Sequence, residues 1–154
     1  MMEQEYRQPV LLRWADLDPN NHVRHSVYYD WGASIRIAFF WDNGLSAKYL
    51  QEHHLGPVLF REEALFRREI RYGDQLWIDL CTTRLRRDGS RFSFRHRILR
   101  DDGQLCATLN VDGAWIDTRL RKLASPPEAA VHMLTAAPRA DIFSWLDDEH
   151  PANP

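Results

Sequence analysis

Between an extended apolar lead-in and the longest helical pattern of the chain lies a short stretch holding Asp16, Asp18, Pro19, Asn20, Asn21, His22 and His25. Carboxylates, imidazoles and amides at this density can accept, donate and exchange protons. A helix N-terminus just downstream adds unpaired N–H groups and a partial positive charge, so Asp18 and an incoming carbonyl can share one electropositive corner. Asp18, His22 and His25 are also spaced like a compact metal-ligand set, which would suit a metal-dependent hydrolase. Against that stand Pro19 and two asparagines, which make the stretch a loop, and the lack of an identifiable fourth ligand or supporting group.

Such a corner needs a helix to supply the amides and a sheet to hold the helix. From His25 onward, Tyr28, Trp31, Ile35, Ala38 and Phe39 recur at the three-and-four spacing of one apolar stripe, which predicts a helix over about 26–42 with Ser26 as its N-cap. Gly32 inside it costs about 1 kcal/mol relative to alanine, so its presence predicts that another backbone or a sheet comes close to that face. Asn43-Gly44 ends the helix. A short first strand is expected over Pro9–Trp14 and a short helix or turn over Leu45–His54.

Beyond Pro57 the period changes to alternation. Strands are expected over Val58–Arg71, Gln75–Leu85, Arg91–Arg100 and Leu105–Asp117, separated by glycine- and aspartate-rich turns that make the pairing antiparallel. In the third of these, Phe92, Phe94, His96 and Ile98 alternate with Arg91, Ser93, Arg95 and Arg97, so one face is core and the other is wet or functional. Ser125-Pro126-Pro127 opens a last helix through about Thr135. Residues 138–154 read as a loosely docked or disordered tail. The fold class is α+β: a five-stranded antiparallel sheet wrapped round one long helix.

The composition is that of one ordinary domain. It spans residues 1–154, with a core at about 10–127 and a C-terminal helix and tail over 128–154; 44% of the residues are apolar, enough to bury a real core. The net charge of -2 argues against a protein that coats nucleic acid or an anionic membrane. Cys81 and Cys106 fall singly in strand-like runs and read as buried thiols in a reducing compartment. With no apolar run of about 18 residues and no leader pattern, a soluble cytoplasmic protein is expected.

Strand, D-x-D-P loop, long helix and four antiparallel strands resemble the hotdog fold of the acyl-CoA thioesterases, specifically the 4-hydroxybenzoyl-CoA thioesterase-like group. The likeness is also local. Arg13, Asp16, Asp18, His22, Val23, Tyr28, Trp31 and Arg36 are similar to the group's R-x-x-D-x-D-x-x-x-H-V-x-x-x-x-Y-x-x-W-x-x-x-x-R, and Arg68 to Asp74 to its strand and x-G-D turn. The resemblance covers roughly residues 10–127. It departs where many relatives carry H-V-N-N, because Arg24 and His25 replace both asparagines, which changes the lining of the pocket.

The resemblance implies hydrolysis of an acyl-CoA thioester to free acid and coenzyme A. Asp18 falls on the catalytic carboxylate, as nucleophile or general base, and the amide that polarises the carbonyl falls near His25. An isolated Asp-Pro pair would read as an Asx-turn acid; the surrounding motif favours catalysis. His22 is read as a strut for the loop within the site, and Asp16 as a bracing acid. Substrate-binding roles are implied for Arg24, Tyr28, Glu62, Glu63, Arg86, Arg87, Ser90 and Arg91. One of the two glutamates is expected to point inward, against water, Arg24 or His25, and the turn carrying Arg84, Arg86, Arg87, Ser90 and Arg91 to lie near the coenzyme A phosphates. No cofactor and no metal are called for. The partner is the acyl-CoA substrate, and a homodimer or homotetramer follows because the group's pockets lie between protomers. The alternatives are a non-catalytic acyl-thioester-binding hotdog protein and the metal-dependent hydrolase above.

Overall fold

The computed structural model describes residues 4–149. Strand β1 (Arg7–Val10) is followed by one 3-10 turn at Trp14–Asp16 and helix α1 (Val27–Asp42). The first strand thus lies closer to the N-terminus than the apolar run Pro9–Trp14. Asp16 is the cause: its buried carboxylate accepts the Arg13 amide at 2.9 Å and the Arg13 guanidinium at 2.7 Å, and this closes the backbone into a turn. Hydrogen bonding to that guanidinium holds the Asp16 carboxyl below the usual carboxylate range.

Helix α1 occupies the expected span less one residue, since Ser26 precedes it without capping it through its side chain. It ends where Gly44 adopts φ +91°, a left-handed conformation that costs glycine little. Its buried face carries Tyr28, Gly32, Ile35, Arg36 and Phe39. A Cβ on Gly32 would stand 2.9 Å from Leu109 Cδ1 and 3.2 Å from Arg36 Nη1, so the close approach expected at this glycine is present.

After a short helix α2 (Ala47–Glu52) come β2 (Leu55–Phe66), β3 (Leu76–Asp79), β4 (Cys81–Leu85), β5 (Arg91–Arg100) and β6 (Leu105–Asp117). Strand β6 pairs antiparallel with β2 on one side and β5 on the other, and β5 pairs antiparallel with both β3 and β4. The strand expected over Gln75–Leu85 is therefore two pieces, broken at the fully buried Leu80, whose amide turns outward to Tyr6 O at 3.0 Å. Its first half takes β1 as outer neighbour; its second half is left open.

The chain's end covers that opening. After β7 (Lys122–Leu123) and helix α3 (Glu128–Ala136), strand β8 (Arg139–Trp145) lies parallel against β4. The five expected strands thus become eight among the described residues, through the split at Leu80 and the added β7 and β8, and the described part of the tail, through residue 149, is a docked strap; residues 150–154 fall outside the described residues. An open edge row of N–H and C=O groups favours such docking. Trp145 adds to it, lying between the Arg87 and Arg139 guanidinium groups at 4.8 and 4.9 Å from its ring centre.

The sheet curls over α1, and Phe92, Phe94, His96 and Ile98 all face inward as their alternation predicts. Trp115 stacks on Phe40 at 5.5 Å. Opposite Phe92, a Cβ on Gly113 would lie 2.6 Å from the ring and 3.0 Å from the Val58 carbonyl. Gly113→Ala is therefore expected to destabilise the fold by about 2 kcal/mol through overpacking against a buried ring and a backbone atom. An unchanged midpoint in urea denaturation would contradict this account.

Candidate active site

The loop before α1 is built by its own residues. Leu17 and Val23 form an antiparallel bridge, and Asp18 N donates to His22 O at 2.9 Å, so residues 17–23 make a miniature hairpin. Pro19 suits the second position of its turn, and Asn21 takes φ +62°, which asparagine tolerates better than most residues. A bridge between His22 and Arg71, with Val23 N donating to Ile70 O at 2.9 Å, ties the hairpin to the chain beyond β2.

Asp18 is held at both carboxylate oxygens. Oδ1 accepts the amide of Asn20 at 2.8 Å and that of His22 at 3.4 Å, and Oδ2 lies 2.9 Å from His22 Nδ1. It is thus an Asx-turn acid in geometry and, at the same time, part of the wall of a cavity of 340 Å³. Asp18 and His22 side chains are only 22% and 31% exposed. His22 Nδ1 thus meets the Asp18 carboxylate from within the same loop, and the His22 side chain also lines the cavity.

His25, Val23 and Tyr28 line the same cavity from the helix side, and Phe66, Arg67, Arg68 and Glu69 from the end of β2. Burial foremost pushes the Tyr28 phenol up to about 12, so it stays an O–H donor at neutral pH; its ring meets Phe66 edge-to-face at 4.9 Å. Among the described residues, the His25 and Ser26 amides donate to no protein acceptor, while the Val27 amide is taken by Arg24 O at 3.1 Å. The His25 and Ser26 amides are thus free donors just ahead of α1.

The remaining expected site residues do not line this cavity. Arg24 is exposed and does not line the cavity; its amide goes to Asp16 O at 2.9 Å. Glu62 points toward α1 but meets Arg36 rather than Arg24 or His25, at 3.3 Å, and Glu63 is bound by Arg61 at 2.7 Å and Asn110 at 3.0 Å. At the far turn, Arg84 pairs with Glu149, Arg87 with Asp148 at 2.9 Å and with the Asp147 carboxylate through its amide at 2.8 Å, and Ser90 with Asp88 at 2.6 Å. Arg91 lies over the Phe60 ring at 4.7 Å, and Arg86 is exposed. Acidic side chains of the strap therefore occupy two arginines that the resemblance assigned to phosphates, because β8 carries Asp147, Asp148 and Glu149 onto that turn.

Sequence reasoning missed Phe66, Arg67, Arg68 and Glu69. A strand continuing to Arg71 would alternate, but β2 ends at Phe66 and the amides of Arg67 and Arg68 both converge on Cys106 O, at 2.8 and 3.0 Å. The adjacent pair of arginines after an apolar run was the available signal.

Behind this region lies a buried polar group of three. Arg36 Nη1 is 3.0 Å from His96 Nε2, and His96 Nδ1 is 3.0 Å from the Asp79 carbonyl. Burial first, and the Arg36 charge second, push the imidazole down to about 3, so it is neutral, donating through Nδ1 and accepting through Nε2. Among the described residues, no three His, Cys, Asp or Glu side chains converge as a metal-ligand group. No helix among them is long and apolar enough to cross a membrane.

A family model described as the thioesterase-like superfamily matches residues 12–134. No curated protein matches the chain. Among solved structures, a hypothetical protein of Staphylococcus aureus in complex with CoA is 20% identical with a TM-score of 0.82, covering 100% of this chain and 98% of its own. A 1,4-dihydroxy-2-naphthoyl-CoA thioesterase from Synechocystis is 19% identical with a TM-score of 0.77, over 96% of this chain and all of its own. A thioesterase from Thermus thermophilus, complexed with coenzyme A and Zn, is 28% identical with a TM-score of 0.70, over 84% of this chain and 91% of its own.

Proposed function

Because the chain belongs to the thioesterase-like superfamily, we propose that it hydrolyses an acyl-CoA thioester to the free acid and coenzyme A, with Asp18 as the reacting carboxylate. The observation that carries this reading is the placement of Asp18, oriented by His22, in the wall of a cavity whose floor is the foot of α1. The coenzyme A bound to two of the structural neighbours supports the choice of carrier.

In this reading the thioester carbonyl oxygen sits at the His25 and Ser26 amides, which strengthen their hold as negative charge develops on it. Asp18 either forms a C–O bond to the carbonyl carbon, giving a mixed anhydride that water then opens, or takes a proton from the water that attacks. In both routes the C–S bond breaks and the sulfur leaves as thiolate. A thiol of reference pKa about 8.5 needs little protonation to depart, so no strong general acid is required. His22 keeps the carboxylate aimed, and no cofactor takes part.

The reading extends to assembly. Among the described residues, strand β2 has only β6 as a neighbour and exposes Leu59, Phe60, Leu65 and Phe66, with Trp41 of α1 also exposed. A two-fold pairing at this edge would cover them and bring the partner's side of the cleft, with Arg91 lying on Phe60, toward Asp18. A dimer or a dimer of dimers is the expected species in sedimentation velocity; a fully active monomer at assay concentration would remove this part.

The direct test is release of thiol from a panel of aliphatic and aromatic acyl-CoAs, with and without EDTA. Turnover that survives the chelator is expected. Tight binding without turnover of any thioester would favour an acyl-binding protein instead, and loss of all activity in EDTA a metal-dependent hydrolase.

A further inference from the structure

Most arginines of this protein are tied to carboxylates. Arg13 holds Asp16, Arg61 holds Glu63, Arg87 holds Asp148 and Arg97 holds the buried Asp79. Arg67 and Arg68 are different: both are exposed on the wall of the Asp18 cavity, and among the described residues neither guanidinium has an ion-pair or hydrogen-bond partner. The other carboxylate lining this cavity, Glu69, lies 3.4 Å from Arg71. The bulge that ends β2, where the two amides share the Cys106 carbonyl, lets consecutive residues line one cavity where a regular strand would send them to opposite faces.

Away from the His22 and His25 side of its wall, the cavity offers an anion little without these arginines. Asp18 would repel a second negative group brought beside it, and Tyr28 with Phe66 offers an apolar body contact. Two adjacent guanidinium forks change that balance, since they match a carboxylate or phosphate in shape as well as charge. Resting on the thioesterase reading above, we propose that Arg67 and Arg68 are an anion-recognition pair, and that the thioesters this site takes carry a carboxylate on the acyl group, near the reacting carbonyl. The phosphates of the carrier offer the same chemistry to a guanidinium. The acyl side is favoured because the two arginines share one cavity with Asp18, whereas carrier phosphates lie a full pantetheine arm from the sulfur.

The test compares matched acyl pairs, glutaryl against valeryl and 4-carboxybenzoyl against benzoyl, each as the CoA thioester and as the phosphate-free pantetheine thioester. The wild type is expected to prefer the carboxylated member on both carriers, judged by kcat/KM. R67Q/R68Q is expected to lose that preference by roughly tenfold or more, the size of a charge-assisted contact, while the double lysine variant R67K/R68K retains part of it. A loss that follows the carrier phosphates, with no effect of acyl charge, overturns the acyl assignment. A uniform loss, or none, overturns the pair. Titration calorimetry with thioether analogues, which bind without turning over, repeats the comparison independently of hydrolysis. An enzyme inactive on every thioester that still binds carboxylated analogues through these arginines would sink the proposed function and leave this inference standing.

Discussion

Asp18→Asn is expected to lower kcat for thioester hydrolysis by at least about 10³-fold while shifting stability by only about 1 kcal/mol. The asparagine carbonyl can still accept the Asn20 amide that Asp18 accepts at 2.8 Å, so the turn survives. What disappears is the charge. An amide oxygen neither attacks a thioester nor takes a proton from water, and its NH2 group faces His22 Nδ1, now 2.9 Å from a carboxylate oxygen. Single-turnover measurements with substrate in excess of Kd isolate the chemical step. Residual activity above about a tenth of wild type would place the reacting group elsewhere.

Acid is expected to destabilise the protein through His96 by a few kcal/mol. The folded imidazole titrates at about 3 and an ordinary histidine at 6.5, so below pH 6.5 the unfolded chain binds a proton that the folded one refuses. The stabilisation is therefore fully present above pH 6.5 and is lost as pH falls from 6.5 toward 3, at up to about 1.4 kcal/mol per pH unit. Asp16, also held below its usual range, adds to the same trend. His96→Gln separates the two, because a glutamine can accept from Arg36 and donate to the Asp79 carbonyl without titrating. Its stability deficit relative to wild type, read from urea midpoints, should shrink between about pH 7.5 and about pH 4.5. Parallel profiles would show that this histidine does not set the acid limit.

Much of this molecule was readable along the chain because the signals are local. The apolar stripe of α1, the glycine turns, the inward row Phe92, Phe94, His96 and Ile98, and the crowding at Gly32 each follow from a period or a conformational preference spanning a few residues. The hairpin that sets Asp18 against His22 is equally local, its partners four positions apart, although the sequence showed this stretch only as a loop. That one of Glu62 and Glu63 would turn toward the helix was expected, but neither which one nor its partner was legible: it is Glu62, against Arg36. Arg36 lies 26 positions away, and only the curl of the sheet over α1 makes them neighbours.

The chain's own order of residues determined a helix bounded at Ser26 and Gly44, the antiparallel hairpins after Pro57 and a carboxylate aimed by an imidazole at the helix foot, because each depends on groups that meet within one turn or one strand pair. Which arginines remain free to meet a substrate was decided only by the tertiary structure. The break at Leu80 opens an edge, β8 fills it, and three acids neutralise the turn at Arg84 and Arg87, while the bulge at Cys106 sets Arg67 and Arg68, without an ion-pair partner among the described residues, in the wall of the cavity that Asp18 lines. Ion pairing acts through space, and residues 60 or more positions apart become partners only after the sheet has closed.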